Sequence, residues 1–70
     1  LELNRFQEAV ETLQGALRIK PNQPEARFRM GLAYLKLGNL KGAEEQQRAL
    51  AQLDASLAQK LASLMPQGQR

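Results

Sequence analysis

The sequence predicts an all-α domain of antiparallel helices in a helix-turn-helix repeat, closed by a C-terminal capping helix. Three observations carry that expectation. Apolar residues recur three and four positions apart along most of the chain, as one buried helical face requires. Proline, glycine and asparagine fall together at two places, Pro21-Asn22-Gln23-Pro24 and Gly38-Asn39, and cut the periodic stretches into helix-sized pieces. The chain also resembles itself at a shift of 34 residues.

In the first helix Asn4 is expected as the N-cap, with Leu1 to Leu3 as the tail of something cut away. Its apolar positions are Phe6, Ala9, Val10, Leu13, Ala16 and Leu17, with Ile19 at the margin. Glu8 and Glu11 in its first half and Arg18 and Lys20 near its end suit the helix dipole. Pro21 stops it, because proline cannot extend the hydrogen-bond ladder.

The second helix is expected over residues 24–37, with Pro24 in its first turn. It carries two apolar stripes. One is Met30, Tyr34 and Leu37, flanked by Ala26 and Ala33; the other is Phe28, Leu32 and Leu35. A helix apolar on two sides is either sandwiched between neighbours or keeps one side for a ligand. Gly31 sits inside this helix at a cost of about 1 kcal/mol relative to alanine, and close approach of a neighbouring helix is the expected reason.

Gly38-Asn39 ends that helix, Gly38 supplying the left-handed residue. A third helix then starts near Leu40, burying Ala43, Leu50 and Leu53. Leu57, Leu61 and Leu64 continue a helical spacing up to Met65-Pro66. Residues 67–70 are expected to be a disordered tail.

The 34-residue shift pairs Leu1 with Leu35, Leu3 with Leu37, Ala9 with Ala43 and Glu11 with Glu45, all identities. Phe6 pairs with Leu40 and Ile19 with Leu53, both conservative, and Asn4 pairs with the turn residue Gly38. A helix-turn-helix unit of this period resembles a tetratricopeptide repeat. Met30-Gly31, Tyr34 and Ala43 stand at the family's spacing in one complete repeat. Ala9, Leu13, Ala16 and Pro21 match the second half of an earlier one.

The resemblance implies an α-solenoid fragment over residues 1–66: a half repeat at 1–21, a full repeat at 22–54 and a capping helix at 55–65. Ala9, Leu13, Pro21, Met30, Gly31, Tyr34 and Ala43 would be its repeat-packing residues. Gly31 and Ala43 would be the small contact points between antiparallel helices, with Tyr34 packed across the interface. Three residues depart from the pattern. Arg27 stands where tryptophan is common, which would leave that end more exposed. Gln47 stands for an aromatic and weakens the third helix's core. Ala55 stands where proline is expected. Asp54 is placed to cap a fresh helix at Ala55, the favoured reading, but without proline residues 40–65 are also able to run on as one helix.

Function classes narrow by exclusion. With no cysteine and no histidine, disulfides, the usual zinc ligands and the usual general base are missing, and no catalytic residue, metal site or cofactor is expected. Glu44 and Glu45 are adjacent, so they point to different sides of a helix. Three aromatic residues are too few for a nucleic-acid surface, and no apolar run is long enough to insert in a membrane. The chain opens on Leu1 and is expected to be a piece of a longer or processed protein. Its compartment is not readable, the cytoplasm being only the default.

What remains is a binding surface. In the resembled family the first helix of each repeat lines a concave groove. Carried onto this chain, that face is Glu25, Phe28, Arg29, Leu32, Leu35 and Lys36. The matching positions of a chaperone-tail clamp hold Phe28 and Leu32, with only Arg29 able to contribute, so such a clamp is not expected. An amphipathic helix or apolar peptide of another protein suits the face better. Between positions 18 and 41 six basic residues meet one acidic one, which favours acidic groups on the partner. The same stripe is equally readable as core, covered by the last helix. The alternative to peptide binding is self-association, as a homodimer or larger oligomer, through exposed repeat faces or an exchanged C-terminal helix.

Overall fold

The computed structural model describes residues 2–65, with side chains for residues 4–65. Leu1, Pro66 and the expected tail at 67–70 lie outside the described residues. Four helices follow one another: α1 (Glu2–Ile19), α2 (Pro24–Lys36), α3 (Leu40–Leu53) and α4 (Ala55–Leu64). The fold is an all-α helical repeat with a C-terminal capping helix. α2 is its centre and packs against α1, α3 and α4, while among the described residues α1 packs against α2 alone.

α1 starts earlier than its sequence suggests. Asn4 is an exposed residue inside the helix rather than its cap, and Leu3 belongs to the helix as well. Nothing in Glu2-Leu3-Asn4 breaks a helix, and asparagine costs less than about 1 kcal/mol in a helix interior. At the other end, Gln23 Nε2 donates to the carbonyls of Lys20 at 2.8 Å and Ala16 at 3.3 Å. Lys20 O has no helical donor beyond the helix end, while Ala16 O also accepts from Lys20 N–H at 2.9 Å. Ile19 is 81% exposed and lies off the buried face.

α2 ends in a Schellman motif. Gly38 N–H donates to Leu35 O at 3.1 Å and Asn39 N–H to Tyr34 O at 2.8 Å, with Gly38 at φ +76°. Asn39 then turns from stop to start. Its Oδ1 accepts from Gly42 N–H at 2.9 Å and caps α3. Asp54 does the same one helix later: its Oδ1 accepts from Leu57 N–H at 3.2 Å, so α3 and α4 are separate helices.

The two stripes of α2 enter two cores. Met30 and Ala33 pack with Val10 and Leu17 of α1, with Tyr34 and Leu37 alongside. Phe28, Leu32 and Leu35 pack against Leu50, Ala58 and Leu61 of α3 and α4. Ala43, Leu50 and Leu61 are fully buried, whereas Leu53 is only half-buried.

The small residues divide their work differently from expectation. The close approach at Gly31 comes from α4: a Cβ there would lie 2.5 Å from Leu61 Cδ2. At the α2–α3 contact a Cβ on Gly42 would meet the Tyr34 ring at 2.8 Å, and Ala43 beside it is fully buried. The Tyr34 hydroxyl accepts from Gln14 Nε2 at 3.2 Å, tying α2 to α1 as well.

Arg27 does not leave its end open. It is half-buried, with Nη1 donating to Gln46 Oε1 at 3.1 Å and Nη2 to Pro21 O at 3.3 Å. Gln46, absent from the expected face of α3, is 5% exposed, and its Oε1 accepts that bond. Gln47 is half-buried beside it.

Candidate functional site

Because α1 touches only α2 among the described residues, the side of α1 turned away from Val10 and Leu17 has no described helix over it. A groove of about 610 Å³ opens there between the two helices. Phe6, Ala9 and Leu13 of α1 and Leu32 and Ala33 of α2 make its floor, and Arg5, Glu8, Thr12 and Arg29 line it too. Phe6, Ala9 and Leu13 are half-buried, and Arg5, Glu8, Thr12 and Arg29 are exposed. The walls are the helices α1 and α2.

The structure separates the six residues expected on the binding face. Arg29 and Leu32 line the groove. Phe28 and Leu35, both half-buried, lean on the cluster of Leu50, Ala58 and Leu61 under α4. Glu25 is exposed near the start of α2, beside Asn22, Asp54 and Leu57 in a second, more polar hollow. Lys36 is exposed in the last turn of α2. Leu32 therefore belongs to both surfaces, half in the second core and half in the groove.

Arg5, Glu8 and Thr12 were not among the expected site residues. The signal for them was indirect: an apolar α1 face with more leucine, valine and alanine than one neighbour can cover. Among the described residues no cluster of three or more histidine, cysteine or carboxylate side chains is placed to hold a metal ion. No helix among them is long and apolar enough to cross a membrane.

Comparison with known proteins agrees with the architecture. A TPR repeat family model matches residues 1–38, and a tetratricopeptide repeat model matches residues 24–57. Neither a curated protein nor a solved structure matches the chain. The first of the two matches covers more than half of the chain, and together they span α1, α2, α3 and the start of α4. The chain therefore belongs to the tetratricopeptide repeat family, whose repeats are generally protein–protein interaction modules.

Proposed function

We propose that the chain docks a helix or apolar peptide of another protein along the exposed side of α2, with Leu32 as the apolar anchor and Arg29 as the charged guide. The observation that carries this reading is the position of Leu32. It is half-exposed at the border of the groove, with Phe6 and Leu13 across from it and Arg29 lining the same hollow. An amphipathic helix laid in such a groove buries its apolar side, and an acidic residue on its edge meets Arg29. Glu25 and Lys36, exposed one turn or more to either side, would widen the contact, while Phe28 and Leu35 support Leu32 from beneath α4.

Helical peptides selected from a random library on the immobilised domain test this directly. They are expected to carry an apolar stripe with a neighbouring acidic residue. Their affinity should fall at least tenfold on Leu32→Glu and on Arg29→Glu, and stay level on Lys41→Glu, with helicity by circular dichroism unchanged. Peptides that bind all variants equally sink the proposal. Loss of helicity in Leu32→Glu alone would assign Leu32 to the core, and Arg29→Glu then decides.

A second reading, self-association, is favoured by one observation. Leu64 on α4 is 55% exposed although it continues the leucine spacing of that helix.

A further inference from the structure

The break between α3 and α4 is a single residue, and the leucines on either side of it are in phase. Leu50, Leu53, Leu57, Leu61 and Leu64 are spaced three, four, four and three apart. On one uninterrupted helix those steps make one apolar stripe. In the bent structure the stripe is divided. Leu50 and Leu61 are fully buried, Leu53 and Leu57 are half-buried, and Leu64 is left largely exposed. Only Asp54, at φ −156° and ψ 95°, interrupts the helix, held there by the bond from Leu57 N–H to its carboxylate.

We infer that residues 40–64 also form one straight helix, and that in this form two copies of the chain exchange α4. This rests on the self-association reading and gives it a surface and a partner.

Straightening replaces one side-chain cap with the i to i−4 backbone bonds that Ala55, Ser56 and Leu57 lack at a helix start. It also carries α4 away from α2 of its own chain. That vacates the slot over Gly31, where the absence of a Cβ makes room for Leu61. Phe28, Leu32 and Leu35 are uncovered at the same time. The occupant that fits such a slot is another α4, because it brings Leu61, Ala58 and Leu57 at the required spacing. A second copy supplies it and receives one in return, so the assembly closes as a two-fold dimer. Leu53 and Leu64 then lie on the same stripe as the leucines that cross between protomers.

Two substitutions push the equilibrium in opposite directions. Asp54→Ala removes the cap and the charge from the stripe. Ala55→Pro keeps the bent form, because proline is tolerated in the first turn of α4 but clashes inside a continuous helix. Sedimentation equilibrium up to millimolar concentration reads the assembly. A chain spin-labelled at Lys41→Cys and Lys60→Cys, both exposed positions, and diluted into unlabelled chain reads its shape.

Asp54→Ala is expected to tighten dimerisation at least tenfold, and Ala55→Pro to remain monomeric with its helicity intact. The labels in the dimer should show a separation of about 28 Å between backbone positions, the length of 19 residues of straight helix, against a shorter one in the monomer. If Asp54→Ala loses helicity, the concentrated unsubstituted chain takes its place in both measurements. Dimers that form equally well with Ala55→Pro, or that show only the short separation, overturn the exchange while leaving self-association through another face. Monomers throughout overturn both.

Discussion

α1 and α3 stand one repeat apart and bury opposite faces. On α3 the face of Gly42, Ala43 and Gln46 is buried, with Tyr34 and Arg27 of α2 against it, while Glu44 and Ala51 are exposed. On α1 the equivalents of Glu44 and Ala51, Val10 and Leu17, are the buried pair, packed on Met30 and Ala33. The equivalents of Gly42, Ala43 and Gln46 are Glu8, Ala9 and Thr12, and all three line the groove. The two helices share a period and a handful of identities, yet what each covers depends on where α2 lies. α2 reaches α3 through the tight stop at Gly38 and Asn39, and reaches α1 on the other side of the same helix. The residues largely follow that arrangement, with Val10 and Leu17 where α2 presses on α1 and Glu8 and Thr12 where it does not. Gln46 is the polar exception, bonded to Arg27 of α2.

Paired substitutions, one at the α2–α3 contact and one on α1, test this contrast. The largest difference is expected for Leu50→Ala against Leu13→Ala. Leu50 is fully buried, so its truncation should cost about 3 kcal/mol, a large part of the stability of so small a domain. Leu13 faces the groove and is only half-buried, so its truncation should cost about 1 kcal/mol. Urea denaturation followed by circular dichroism separates the two. Equal losses would mean that the groove side of α1 is as tightly packed as the α3 core.

Next comes Gly42→Ala against Glu8→Ala. A methyl at Gly42 would sit 2.8 Å from the Tyr34 ring, and a ring cannot fold aside as a leucine tip can, so a loss of about 2 kcal/mol is expected. Glu8 is exposed at the equivalent position, and alanine there should change stability by less than about 0.5 kcal/mol. A harmless Gly42→Ala would show that Tyr34 does not hold the α2–α3 spacing.

The smallest contrast is Arg27→Ala against Thr12→Ala. Removing Arg27 leaves Gln46 Oε1 buried without its donor, at a cost of about 1–2 kcal/mol. Part of that cost is offset because the buried Arg27 Nε has no partner to lose. Thr12, the equivalent of Gln46, is exposed, so its truncation should fall within about 0.5 kcal/mol of zero. If Gln46→Leu combined with Arg27→Met recovers stability, the bond satisfies two buried groups rather than adding to the fold.

Much of the fold was legible because its signals are local. Pro21, Pro24, Gly38 and Asn39 act on their own backbone and on residues three or four away, so the turns could be read without knowing the neighbours. The 34-residue identities at Ala9/Ala43 and Glu11/Glu45 pointed to the repeat in the same way. The start of α1 was missed because asparagine is a good cap and only a mild helix breaker, so Asn4 reads equally well in either place. Gln46 was missed because a buried glutamine is intelligible only with its donor, and Arg27 lies 19 residues away. At the candidate site the stripe of Phe28, Leu32 and Leu35 was visible, but its division between a core under α4 and an open groove was not. That division depends on the direction α4 takes after Asp54.

The sequence alone determined the helices, the turns between α1, α2 and α3 and the repeat period, because capping, proline and glycine effects and apolar spacing act within a few residues. Tertiary structure decided which apolar stripe is core and which is surface. Burial is a property of pairs of helices, and among the described residues α1 has one neighbour where α2 has three. It also decided that Gly31 makes room for α4 while Gly42 makes room for Tyr34. A glycine signals a close approach, but only the packed molecule says what approaches.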